Sequence, residues 1–198
     1  MINGEGWLGC RKPCPLTVIR TEGWKHGMPY VLAVKPSPNL PTPQAIALYP
    51  SLCLFEATSV SVGRGTYFPF QVIGSPLLPS GKFPFSFTPK SISGFDTRPL
   101  HKDQVCYGVD LRKAKAPEGF SLKYFLDMYR SFKAMGKEHT FLTRPQWMDL
   151  LMGTRQVRLD VLQGKEEAAI RAAWEKDLEA YRKMRTRYLL YEDYPENN

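Results

Sequence analysis

The 198-residue sequence is 43% hydrophobic and 23% charged, a globular composition with room for one sizeable core and a small appended helical unit. No run approaches the ~20 apolar residues of a membrane span. The opening Met1-Ile2-Asn3-Gly4-Glu5-Gly6-Trp7 lacks a basic stretch followed by an apolar one, so it does not read as a signal peptide.

In chain order, Leu16-Thr17-Val18-Ile19 and Val31-Leu32-Ala33-Val34 are expected to be short strands, separated by a loop containing Trp24, His26 and Gly27. Residues 36–43 carry four prolines and read as an ordered, extended loop. Thr42 is suited to cap a short helix with Pro43 at its first position, running to Tyr49. Leu52–Phe55 read as a buried strand or a helix end, because four apolar residues in a row leave no polar face. Residues 70–73 and 105–109 are further strands, and Phe83, Phe85 and Phe87 alternate as one face of another.

From about residue 120 the periodicity becomes helical. Ser121 is expected to cap a helix buried along Leu122, Phe125, Leu126, Tyr129 and Phe132. Thr143-Arg144-Pro145-Gln146 resembles a capping box ahead of Trp147, Leu150 and Leu151. Thr154 is placed to cap a short helix over 157–162 that Gly164 closes. The last helix carries a stripe of Ile170, Trp174, Leu178, Tyr181, Met184 and Tyr188, which reads as core packing. Glu167 with Arg171 and Glu179 with Lys183 form its i,i+4 pairs. Residues 192–198 read as a frayed tail. The expectation is an α+β fold: a strand-rich part over 1–115, with a mixed β-sheet and proline-rich loops, then a helical segment over 120–191.

The net charge of +8 permits anionic partners. Its excess on the last helix lacks interleaved aromatics or a nucleic-acid module, so a solvated face is favoured and no nucleic-acid partner is expected. Cys10, Cys14, Cys53 and Cys106 lack metal-ligand spacing, and the three histidines are scattered, so neither metal nor cofactor is expected. A Cys10–Cys14 disulfide stays open, and Cys53 and Cys106 read as buried thiols.

The segment from Leu52 to Thr66 concentrates the chemistry. An apolar run delivers Glu56, then small hydroxyl residues, then Arg64 between Gly63 and Gly65. A partly buried carboxylate suits a general acid or a polar contact to ligand. The flanking glycines permit unusual dihedrals and close backbone approach, and the guanidinium suits a carboxylate held by two parallel hydrogen bonds. A strand end whose carboxylate bonds backbone amides, followed by a turn and a surface arginine, is the plainer alternative.

Eight segments taken together resemble the C-terminal half of the NamZ-type exo-β-N-acetylmuramidases. They are residues 3–8, 15–19, 35–41, 49–56, 63–66, 69–76, 106–111 and 187–191, in order along nearly the whole chain. The resemblance implies that 1–198 is a C-terminal domain, and that a Rossmann-like N-terminal half bearing the catalytic glutamate is missing from it. It implies peptidoglycan fragments or muropeptides as partners, together with that N-terminal half or a split partner. The family is commonly exported, and the chain alone is expected to be inactive. Glu56 is the expected catalytic or polar contact at the sugar. Asn39, Thr58, Ser59 and Arg64 are the expected substrate contacts, with Arg64 facing the lactyl carboxylate of muramic acid. Ala57, Ser59, Tyr67 and Phe68 depart from the family's usual residues. The other readings are a non-catalytic muropeptide-binding module and an anion-binding surface on the last helix.

Overall fold

Thr42 starts the first regular element as its residue type dictates. Its side chain accepts a hydrogen bond from the Ala45 amide, and Pro43 occupies the first turn, where no amide is needed. The computed structural model describes residues 1–10 and 12–194. Its helix α1 spans Pro43–Leu52 and runs directly into a 3-10 turn, Cys53–Ala57. Leu52–Phe55 are thus a helix end, and Leu48, Leu52, Leu54 and Phe55 are all buried.

Three strands follow: β1 Val72–Ser75, β2 Phe85–Phe87 and β3 Cys106–Asp110. The α+β class is met, but the sheet is small and both its pairings are antiparallel, with β3 central, where a mixed sheet was expected. Gly74 faces Gly108 in the register, and a Cβ on Gly108 would collide with the Ile73 carbonyl. That position admits no side chain without shifting β1. Segment 58–62 continues the sheet beyond β1, with the Ser61 amide donating to Gly74 at 2.7 Å and the Phe70 amide to Val62 at 2.7 Å.

The helical part comprises α2 Lys123–Ala134, α3 Glu138–Phe141, α4 Pro145–Met152, α5 Gln156–Leu162, α6 Glu167–Ala172 and α7 Glu175–Arg185. In α2 the expected apolar stripe is buried throughout. Phe141 packs on it, with ring centroids 5.2 Å from Phe125, 5.2 Å from Phe132 and 5.5 Å from Tyr129. Phe125 also meets Phe55 at 5.3 Å, so this cluster joins the helices to the 3-10 turn. Ser121 supports the start of α2 by accepting from the Lys123 amide, and Thr154 does the same for α5 through Gln156.

Several expectations are corrected. Residues 16–19 and 31–34 are not strands: Ile19 is 92% exposed and Val34 79%, and among the described residues no neighbouring strand takes up their amides. A short apolar run becomes a strand only when a partner satisfies its backbone. Residues 1–115 are therefore less strand-rich than their composition suggests. Thr143 does not cap α4; its hydroxyl donates to the Ala57 carbonyl, and Leu150 is exposed while Met148 is the buried residue. The last helix is broken into α6 and α7 around Trp174, and α7 buries none of its residues. The Glu179–Lys183 pair forms at 2.8 Å.

The chain divides into two units, Leu32–Ile170 and a smaller one of 1–31 with 171–198. Within the smaller unit, Glu5 accepts from Arg187 and from the Tyr188 hydroxyl. Trp24 packs edge-on against Tyr191 at 4.9 Å. Asp193 pairs with Arg185 at 3.1 Å, so residues 192–194 are tied down; the rest of the expected frayed tail lies outside the described residues.

Candidate functional site

In the larger unit, the 3-10 turn, the segment after it and the start of α4 enclose a cleft of about 380 Å³. Its walls are held together at one atom. The Ala57 carbonyl accepts the amides of Thr143 and Arg144, both at 3.0 Å, and the Thr143 hydroxyl at 3.3 Å. The Ser59 amide donates to Phe141 at 2.9 Å, so the aromatic cluster fixes the same strip from below.

Glu56 and Arg64 both line the cleft, and they are joined to each other. The Arg64 guanidinium donates to Glu56 at 2.6 Å, with side chains 34% and 21% exposed. The arginine also lies over the Phe70 ring, 5.2 Å from its centroid. Gly63 and Gly65 hold it in place with φ of +77° and +79°. A Cβ on Gly65 would sit 2.5 Å from Pro99 Cγ and 2.6 Å from the Lys90 carbonyl. The close approach anticipated for these glycines is therefore to the protein's own chain. Burial, and next the Glu56 carboxylate, push the Tyr49 phenol and the Cys53 thiol above their ordinary values. Cys53 is only partly buried, unlike Cys106, and Cys10 and Cys14 are free, exposed thiols.

The other expected residues separate. Thr58 lines the cleft, but its hydroxyl donates to Phe55 at 2.8 Å and accepts from Val60 at 3.0 Å, closing the 3-10 turn. Ser59 is buried beside it, and its Oγ has no hydrogen-bond partner among the described residues. Its carbonyl accepts a hydrogen bond from His101 Nε2 at 2.7 Å. Asn39 is not among the residues lining the cleft. It sits in the turn closed by Leu40 and Ser37, and its Oδ1 is also buried without a partner among the described residues. A buried polar atom left unpaired is costly, which makes both positions unusual.

Arg144, Trp147 and Asp96 also line the cleft and were not anticipated. The Arg144 guanidinium lies 4.9 Å from the centre of the Trp147 ring. The sequence marks Trp147 only as an apolar position after a capping box; it is 37% exposed and lines the cleft. The available signal was a tryptophan in the first turn of a helix, three residues after an arginine. The cleft thus offers a flat aromatic surface, two guanidinium groups and two carboxylates. Among the described residues, no three His, Cys, Asp or Glu side chains group as a metal site, and no helix is long and apolar enough to cross a membrane.

The family model described as Exo-beta-N-acetylmuramidase NamZ, C-terminal, matches residues 47–191, which hold the whole cleft. The chain belongs to the NamZ family. This is a peptidoglycan-related glycoside hydrolase family. Peptidoglycan beta-N-acetylmuramidase NamZ of Bacillus subtilis is 29% identical over 191 residues, covering 89% of this chain and 45% of the relative. A crystal structure of a DUF1343 family protein from Bacteroides fragilis superposes with a TM-score of 0.86 at 42% identity, over 98% of this chain and 54% of that one. A second DUF1343 protein from the same organism gives 0.75 at 21% identity, a likeness of fold. The chain spans about half the length of these NamZ and DUF1343 relatives.

Proposed function

We propose that this chain supplies the substrate-side face of a cleft that removes terminal β-linked N-acetylmuramic acid from peptidoglycan fragments. The observation that carries this reading is the Glu56–Arg64 pair beside the Arg144–Trp147 stack in one cleft. A pyranose needs an apolar surface for its ring face and charged, planar groups for its substituents. Trp147 offers the first, and the guanidinium groups offer the second.

Arg64 has five N–H donors, so its bond to Glu56 leaves others for the lactyl carboxylate that distinguishes muramic acid from glucosamine. Glu56 takes the polar or acid–base role at the sugar, its place fixed by Arg64. Thr58 holds the wall, while the unpaired Ser59 Oγ and Asn39 Oδ1 are buried outside the cleft lining and would reach a sugar only after a local rearrangement. Glycoside hydrolysis generally uses two carboxyl groups. The second belongs, on this reading, to a Rossmann-like N-terminal half or a split partner.

Calorimetric titration with an N-acetylmuramyl disaccharide and with a di-N-acetylglucosamine of the same linkage tests the reading. The expected result is about tenfold tighter binding of the muramyl sugar, or ~1.4 kcal/mol, with the difference lost in Arg64→Met. Equal binding of the two sugars overturns it. Turnover of a chromogenic muramic acid glycoside by the purified chain would remove the alternative, a non-catalytic muropeptide-binding module.

A further inference from the structure

On the far side of the Gly63–Thr66 turn lies a second cavity, of about 540 Å³, which the cleft chemistry does not use. Its volume falls within the ~300–1,000 Å³ of small-ligand sites. Tyr67, Phe68 and Phe85 line it, together with Arg112 and Lys90. Tyr67 is 77% exposed, yet its ring is braced edge-on by Phe95, with centroids 6.5 Å apart. Phe68 and Phe85 pack on the core formed by Val72, Phe87 and Cys106, so the floor is part of the sheet.

The charged groups here are already compensated. Arg112 binds Asp110 through two nitrogens, at 2.9 and 2.7 Å, while its guanidinium lies 4.9 Å from the Phe68 centroid. Lys90 pairs with Asp103 at 2.9 Å. A phosphate or acidic peptide would have to displace these carboxylates. A β-linked sugar would not: its axial C–H face suits the rings, and its hydroxyls suit a fixed Arg–Asp fork that both donates and accepts. The cavity and the cleft are walled by consecutive residues of the same turn. Arg64 lines one and Gly65 the other, and the turn joining Ile92 to Asp96 likewise contributes Ile92 to the cavity and Asp96 to the cleft.

We infer that this aromatic cavity binds the third and later sugars of a glycan chain whose terminal disaccharide occupies the Glu56–Arg64 cleft, so that the preferred ligand is an oligosaccharide longer than two rings. The inference rests on the proposed function. Its test is calorimetric titration of the full chain with muramyl disaccharide and with the corresponding tetrasaccharide. The tetrasaccharide should bind about tenfold tighter. Tyr67→Ala should abolish that increment and leave disaccharide affinity unchanged, while Trp147→Ala should weaken both ligands.

Equal affinities for the two lengths overturn the inference and leave the proposed function standing. A length preference that survives both Tyr67→Ala and Phe85→Ala also overturns it. Failure of the disaccharide to bind at all removes both readings. Circular dichroism of Tyr67→Ala should match the parent, because the ring is mostly exposed, and the Phe85 variant gives a second reading of the same cavity.

Discussion

Arg64 owes its position to backbone rather than to its own side chain. Two left-handed glycines set the turn, and Gly65 packs against Pro99 and the Lys90 carbonyl with no space for a methyl group. Gly65→Ala combines a disfavoured φ with a steric clash. It should cost about 1–3 kcal/mol in urea unfolding and loosen the bond between Arg64 and Glu56. The Gly-Arg-Gly spacing made the special backbone legible from sequence. The identity of the arginine's partner was not legible, because an eight-residue separation along an irregular segment carries no periodicity. Trp147 illustrates the converse: its place in an apolar helical run does not say what covers the ring, and only the packing of α4 beside the 3-10 turn puts it at the cleft.

At the scale of elements, the cleft depends on a helix of only four residues. Phe141 at the end of α3 is buried among three rings of α2, and its carbonyl holds the Ser59 amide. Phe141→Ala should cost about 3–5 kcal/mol in stability. It should also weaken ligand binding in the cleft beyond what the parent loses at an equal distance below its unfolding midpoint. Helix α2 was fully readable, since one stripe at helical spacing met a single buried environment. The 16–19 and 31–34 runs were misread because strand formation depends on a neighbour, and the neighbour is a property of the fold. The apolar stripe of the last helix was likewise interrupted around Trp174, and its members on α7 stay exposed or half-exposed.

Across the whole molecule, stability should depend on pH with a definite sign. Burial pushes the Cys106 thiol up to about 12 from 9.0, and burial raises Tyr49, Cys53 and Tyr129 as well. Groups raised on folding keep protons that the unfolded chain releases. For Cys106 the contribution is complete below pH 9.0 and is lost as pH climbs towards 12, and the other raised groups act in the same direction. Thermal unfolding followed across that range should show a falling Tm, with Cys106→Ala reducing the slope. Carboxylates run the other way. Asp149 beside Arg158, Asp110 beside Arg112 and Asp160 beside Lys165 are held below the ordinary range, so their contribution is present near neutrality and fades on acidification.

The family was legible because its motifs run in order along most of the chain, whereas each motif alone fits several folds. One consequence concerns how such a protein can change over time. The Ala57 carbonyl binds the strip after the 3-10 turn to the loop before α4, 86 residues later in the chain. Energies at residues in such direct contact are not independent. Segment 57–59 and segment 142–147 therefore act as one energetic unit. A new specificity built by exchanging either piece with a relative must carry the other along, or the graft arrives without its frame.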